Sequence, residues 1–276
     1  MSRSKELDQY FTKKSLAREL YEFTAEFLRS KHVEFDCWLE PAAGDGSFFL
    51  LLPPDQRMGI DIEKRLDDVI EEDFLTIPIT LFHGLRYVAI GNPPFGKNSH
   101  LAIKFFNRCA DMCEAVAFIA PQTFKKSSVQ NRLHLCFHLG YERDLPDNSF
   151  EIDGQDKHVP CCFQIWIRGT ENRPKIEVYR KHDDLEFLPP DRLDEATILF
   201  QRVGAGAGAF KDPPNNTDDP GYSWKSNYYI KCSQEAATVL RTITHWPTKY
   251  HTAGNPSISK GDLIEAYIEA LKSQTS

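Results

Sequence analysis

The sequence has no long apolar run. Its longest candidates, near 48–52 and 115–120, fall far short of the ~18 consecutive apolar residues a membrane helix needs, so no membrane association is expected. It also lacks any C-x-x-C pair. Seven cysteines, an odd number, are scattered at Cys37, Cys109, Cys113, Cys136, Cys161, Cys162 and Cys232, which argues against a disulfide framework and for reduced, mostly buried thiols. An excess of positive charge is missing too. With 33 Lys and Arg against 40 Asp and Glu the net charge is -7, so a polybasic binder is excluded while a local positive groove on an acidic body is not. The opening M-S-R-S-K-E-L-D-Q has no apolar segment of a signal peptide and is too acidic for a transit peptide. The expected location is the cell interior: cytoplasmic, or nuclear in a eukaryote.

What is present is an ordinary globular composition. The 276 residues are 41% apolar and 26% charged, enough for one large domain or two modest ones and unlike a disordered chain. From residue 36 onward short apolar runs alternate with helical patterns, the signature of β-α-β units. Strands are expected at 37–39, 57–61, 87–91, 115–120 and 162–168. Helices are expected at 15–30, at 100–112 with Ile103, Phe106 and Ala110 on one stripe, and at 129–139. The fold class is therefore α/β, a doubly wound, mostly parallel Rossmann-like sheet. Seven acidic residues crowd 61–73 and read as a solvated face. The stretch 141–159 reads as hairpin-like.

Past residue 170 the texture loosens, with E-N-R-P, L-P-P-D and D-P-P-N-N-T-D-D-P-G interrupting regular patterns. Two domains are expected: 1–170, catalytic, and a loop-rich 171–276, a substrate-recognition or accessory element. The latter still holds strand-like T-I-L-F-Q-R and N-Y-Y-I-K-C, a helix near 233–244, and a last helix whose Ser259 and Asp262 form a capping box. Leu263, Ile264, Tyr267, Ile268 and Leu271 give that helix one apolar stripe.

Two motifs carry chemistry. The first, L-E-P-A-A-G-D-G-S-F at 39–48, follows an expected strand and opens an expected helix. Gly44 and Gly46 remove side chains where the backbone must turn and approach a ligand, and Asp61, seventeen residues after Gly44, can accept hydrogen bonds from both hydroxyls of a ribose. Ile62, beside Asp61, joins the candidate cofactor set. Without a G-x-G-x-x-G pattern, the expected ligand presents an adenosine without phosphates. The second motif, A-I-G-N-P-P-F-G at 89–96, lies at the carboxyl end of an expected strand, where open α/β sheets place their sites. Two prolines fix the backbone, so the loop offers carbonyls and the Asn92 amide in a rigid array suited to receive amine hydrogens. The amide oxygen of Asn92 and the Pro93 carbonyl can draw hydrogens from an exocyclic amine as its nitrogen becomes nucleophilic, and Phe95 offers a face for a stacked base.

In order and wording these motifs resemble the S-adenosylmethionine-dependent amino-methyltransferases acting on adenine N6, and D-Q-Y-F-T at 8–12 is similar to the segment that opens bacterial and phage DNA adenine methyltransferases. The resemblance spans about residues 7 to 168. It implies a Rossmann-like class I methyltransferase fold, S-adenosyl-L-methionine as cofactor, and a nucleic-acid substrate, DNA ahead of RNA. By the same resemblance Tyr10, Phe11 and Thr12 lie against the methionine part of the cofactor, Glu40, Ala42 and Gly44 line its turn, Asp61 holds its ribose, and Asp73 with Phe74 holds its adenine. Asn92, Pro93, Pro94 and Phe95 form the catalytic loop. The same loop serves enzymes acting on RNA adenine N6, guanine N2 and protein glutamine N5, and a catalytically silent binding module is the alternative of another class.

Several features have plainer readings. Pro160-Cys161 has the letters of a cytosine-methyltransferase nucleophile but precedes a late strand, so core packing is expected. His134, Cys136 and His138 have no fourth ligand nearby, and no metal is expected. G-A-G-A-G-A at 204–209 reads as a mobile loop. Phe210, Lys211, Tyr222, Trp224, Lys225, Tyr228, Tyr229 and Lys231 interleave rings and charges as a base-stacking surface would, or as strands with core aromatics would.

Overall fold

The computed structural model describes residues 11–152, 155–214, 222–252 and 254–274. The chain divides after Ile176 into two compact units.

In the first unit seven strands form one sheet among the described residues: β1 (Cys37–Glu40), β2 (Arg57–Asp61), β3 (Val69–Glu71), β4 (Tyr87–Gly91), β5 (Cys113–Pro121), β6 (Phe137–Asp144) and β7 (Cys161–Arg168). Their order is β3-β2-β1-β4-β5-β7-β6. β1 to β5 pair in parallel, and β7 runs antiparallel to both β5 and β6. The central strands are apolar on both faces because both are covered. Along β4, Tyr87 and Ala89 enter one core while Val88 and Ile90 enter the other, and β5 alternates the same way. Helix α1 (Lys14–Ser30) buries Leu16, Ala17, Leu20, Thr24 and Leu28, spaced three or four apart, against one face. Helix α2 (His100–Ala110) buries Ala102, Ile103, Phe105, Phe106 and Cys109 against the other.

Two expectations are corrected. The helix placed at 129–139 is only one turn, α3 (Ser127–Gln130), and Phe137 begins β6. Val129, Leu133 and Phe137 are buried as a helical stripe would be, but turns and a strand start bury them. Hence His134 and Cys136 do not sit on a helix: His134 Nδ1 lies 3.0 Å from Cys136 Sγ, and His138 Nε2 lies 2.9 Å from the Glu171 carbonyl. The helix expected after the glycine turn is absent, because Phe49–Leu51 forms a single 3-10 turn that Pro53 and Pro54 follow. The acidic 61–73 stretch keeps six of its seven carboxylates exposed, as a solvated face does, and also contains the short edge strand β3, where charge disfavours further pairing. The hairpin-like stretch does form one: Phe150–Ile152 pairs antiparallel with Gln155–Lys157, and Phe11–Thr12 pairs with Phe150–Ile152.

The second unit has its own core. β8 (Glu186–Phe187), β9 (Ile198–Gln201), β10 (Phe210–Lys211) and β11 (Asn227–Lys231) form an antiparallel sheet ordered β8-β11-β9-β10. Helices α4 (Gln234–Thr242) and α5 (Lys260–Gln274) bring Leu240, Leu263, Ile264 and Tyr267 to Ile198, Phe200 and Ile230. Ser233 caps α4 through the Ala236 N–H at 3.1 Å. The capping box of α5 is reciprocal: Ser259 N–H donates to Asp262 Oδ2 at 2.8 Å and Asp262 N–H to Ser259 Oγ at 3.1 Å. Among the described residues no helix is long and apolar enough to cross a membrane.

Candidate functional site

The order β3-β2-β1-β4-β5 reverses direction between β1 and β4, and crevices at the carboxyl ends of strands flanking such a switch point are where α/β sheets bind ligands. A cavity of about 340 Å³ lies there.

Its floor is the turn after β1. Ala43 N–H donates to the Ile60 carbonyl at 3.0 Å, and Gly44 N–H donates to Asp61 Oδ2 at 2.7 Å, locking the turn to the end of β2. Gly44 has φ +52°, and a side chain there would come within 3.6 Å of the Phe11 ring. Gly46, at φ +83°, does not line the cavity. A Cβ on it would lie 2.6 Å from Leu66 Cδ1, so Gly46 serves the packing behind the turn, while its neighbours Asp45 and Ser47 line the cavity. Asp61 Oδ1 accepts the Glu63 N–H at 2.9 Å, and since a carboxylate has about four acceptor positions, both oxygens keep capacity for a ligand.

Phe11, Thr12, Glu40, Ala42, Gly44, Asp61, Ile62, Asp73, Phe74 and the whole Asn92 to Phe95 loop line this one cavity. Tyr10 lies outside the described residues. Phe74 is buried with its ring 5.4 Å from that of Phe105, and Asp73 Oδ1 accepts the Leu75 N–H at 2.9 Å, which sets the polar edge of an apolar slot. Leu101 and Phe105 also line that slot and escaped the sequence reading. They stand four apart on α2, beside the stripe of Ile103, Phe106 and Ala110, so a second stripe on the same helix was the available signal.

Helix α2 also holds the catalytic-loop candidate. Leu101 N–H at 3.1 Å and Ala102 N–H at 3.3 Å both donate to the Phe95 carbonyl, which thereby caps the helix. Ser99, buried, pairs its hydroxyl with that of Thr123 at 2.5 Å. Phe95 is half-buried and packs against both cores of the first unit, which restricts its ring.

Two buried acceptors in the cavity wall have no hydrogen-bond partner in the structure: Glu40 Oε2 and Thr12 Oγ1. Burial, then the charges of Asp45 and Asp61, push the Glu40 carboxyl well above the usual carboxylate range, opposed only by a backbone hydrogen bond with Phe49. The folded protein therefore binds a proton at Glu40 that the unfolded chain releases, and this group's contribution to stability falls as pH rises from the unfolded value towards the folded one. Glu40→Gln is expected to stabilise the ligand-free protein above about pH 5, with the advantage vanishing at lower pH where both states are protonated. Thermal unfolding of both proteins across pH checks this, and an advantage independent of pH would contradict it.

The other candidates separate cleanly. Cys161 and Cys162 are buried in β7, burial raises both thiols, and neither lines the cavity. All seven cysteines are free. Lys125, which follows β5, is bound to Asp144. Phe210 and Tyr228 pack against the core of the second unit and Tyr229 is buried, leaving Trp224 exposed. Among the described residues no cluster of His, Cys, Asp or Glu could hold a metal ion.

A seven-stranded sheet ordered 3-2-1-4-5-7-6, with strand 7 antiparallel, is the Rossmann-like class I methyltransferase fold, and that is the fold of the first unit. No family model matches the chain, and no curated protein does. Solved structures with partial likeness include PH1948 of Pyrococcus horikoshii, whose assignment as an RNA methyltransferase is provisional, at 16% identity and TM-score 0.44 over 61% of this chain and 99% of that one. The 23S rRNA methyltransferase ErmE is another, at 16% identity and TM-score 0.39 over 59% of this chain and 70% of its own. Likenesses this distant say nothing of substrate, and the strand order alone defines the fold.

Proposed function

We propose that the protein is an S-adenosylmethionine-dependent methyltransferase acting on an exocyclic amine, adenine N6 in DNA. The observation that carries the reading is a single cavity in which the N-P-P-F loop faces the glycine turn and the Asp73-Phe74 slot. The residues fit the cofactor: Glu40 Oε2 is a buried acceptor awaiting a donor, which an ammonium group supplies, Asp61 retains acceptor capacity for a diol, and the Phe74–Phe105 slot suits a purine. When bound, S-adenosylmethionine supplies an electrophilic methyl group on a positively charged sulfur.

The chain's own residues do the rest. Asn92 Oδ1 and the Pro93 carbonyl accept the two hydrogens of the target amine, so its lone pair is withdrawn from the ring and directed at the methyl carbon. Neither group needs to take the proton fully, since the amine becomes acidic only as the new bond forms and the proton then passes to solvent. Because the loop is fixed by two prolines and by the capping of α2 through Phe95, these acceptors are in place before the reaction and cost little reorganisation. A base in a duplex must be turned out of the stack to reach them. The D-Q-Y-F-T resemblance favours DNA over RNA.

Transfer of labelled methyl to DNA, RNA and protein fractions tests the proposal, and label confined to protein would overturn it. Asp61→Ala is expected to weaken cofactor binding by ~1 to 3 kcal/mol, since ribose hydroxyls would lose their acceptor and the Gly44 N–H its anchor. Calorimetry measures this, and unchanged affinity in a folded variant would remove Asp61 from the site.

A further inference from the structure

We infer that the second unit carries a docking surface for a nucleic-acid strand, formed by the G-A-G-A-G-A loop, two lysines flanking it and two exposed rings; this rests on the proposal that the substrate is a nucleic acid. The loop at 204–209 is not slack. Gly204 N–H donates to the Pro256 carbonyl at 2.9 Å, Ala207 N–H to the Gly204 carbonyl at 2.9 Å, and Gly208 N–H to the Gln201 carbonyl at 2.8 Å. A Cβ on Gly208 would strike Trp246 at 2.5 Å, and Gly204 and Gly208 hold φ of +91° and +98°, so these two glycines are what allow this fold of the loop. Within it the N–H groups of Ala205 and Gly206 are exposed and find no acceptor among the described residues. Paired backbone N–H groups without bulky side chains are suited to phosphate oxygens.

Positive charge gathers around the same loop. Lys249 Nζ donates to the Ala205 carbonyl at 3.2 Å, and the Arg202 guanidinium, stacked 5.1 Å from the Tyr228 ring, donates to the Lys225 carbonyl at 3.0 Å. Backbone hydrogen bonds from Arg202 to Ser226 and from Ile258 to Arg202, with Ser257 to Lys249, tie both lysine-bearing segments to the root of the loop. In this unit the described carboxylates pair with Arg192, Lys231 and Arg241, not with Arg202, Lys225 or Lys249. Between 222 and 251 the sequence has Glu235 as its only acidic residue against Lys225, Lys231, Arg241 and Lys249, a local reversal of the chain's acidity. Trp224 and Tyr250, adjacent to the two lysines, remain 51% and 66% exposed in a unit that buries its other tryptophan and keeps its remaining aromatic rings buried or half-buried. Uncompensated lysines, free amides and exposed rings together match alternating phosphates and bases better than any apolar or acidic partner.

Fluorescence anisotropy of the full chain with short labelled DNA and RNA strands, across a salt series, tests the surface. Lys225→Ala/Lys249→Ala is expected to weaken binding about 10-fold or more and to reduce the slope of log affinity against log salt by roughly 1.4 to 1.8, two phosphate contacts. Trp224→Ala is expected to weaken binding ~5- to 100-fold at unchanged salt slope, with Trp224→Phe retaining most of it. Wild-type affinity in both the double variant and Trp224→Ala would overturn the inference, as would wild-type protein that binds neither strand. If binding falls in the variants as expected while no nucleic acid accepts methyl, the docking surface stands and the adenine reading fails; transfer to nucleic acid with unchanged KM and binding in the variants has the opposite meaning.

Discussion

Asn92→Ala is expected to lower the rate of the chemical step by ~10² to 10³, the loss typical of one preorganised polar contact, while cofactor affinity changes far less. The asymmetry follows from position. Asn92 follows the last residue of β4 and shares the cavity wall with Pro93, whereas the turn at Gly44, Asp61 and the Phe74 slot that would hold the cofactor come from other strands. Truncation at Asn92 leaves the prolines and the Phe95 cap on α2 intact, so the loop keeps its shape. Cys161→Ser should change transfer little, because that thiol is buried in β7 away from the cavity. Single-turnover kinetics with cofactor calorimetry separates the two quantities, and an inert Cys161→Ser protein beside an active Asn92→Ala protein would refute amine activation.

The second large effect is on stability. Trp166→Ala is expected to destabilise the first unit by ~3 to 5 kcal/mol. Trp166 is buried in β7, its ring meets that of Phe106 edge-on at 5.6 Å, and its indole N–H donates to Gln164 Oε1 at 2.9 Å. Gln164, itself buried, passes the polar chain outward by donating to Glu142 Oε2 at 2.5 Å. Removing the indole leaves both a void under α2 and an unpaired buried acceptor, so Trp166→Phe should recover the packing but still lose ~1 to 3 kcal/mol for the orphaned Gln164 oxygen. Calorimetric unfolding measures this, and an unchanged midpoint in Trp166→Ala would contradict it. Because Phe106 lies on the helix that Phe95 caps, transfer activity in the alanine variant should decay at lower temperature than in wild type.

The residues that line the cavity were more legible in the sequence than the scaffold around them. Short, apolar strands such as β1 and β4, each running into a motif at its carboxyl edge, are visible because burial on both faces keeps them apolar. β3 is invisible for the opposite reason: three residues inside an acidic run, at an edge where charge is tolerated. The stretch 129–139 misled because Val129, Leu133 and Phe137 keep helical spacing while being buried by a one-turn helix and the start of a strand. Gly46 has the same letter as Gly44, yet its missing side chain leaves room for Leu66 behind the turn and not for the cavity in front of it. Leu101 and Phe105 were missed since a helix with two apolar stripes has one for the sheet and one for the cavity, and periodicity does not say which. Nor does the letter Glu40 reveal an acceptor buried without a partner; only the packing around it does.

The position of the transferred methyl tests the central claim most directly. Wild-type protein is incubated with labelled S-adenosylmethionine and adenine-containing DNA, the product is digested to nucleosides, and these are resolved by mass spectrometry. The account predicts N6-methyl-2′-deoxyadenosine, lost in Asn92→Ala and retained in Cys161→Ser. Label on cytosine C5, dependent on Cys161 and indifferent to Asn92, would contradict it.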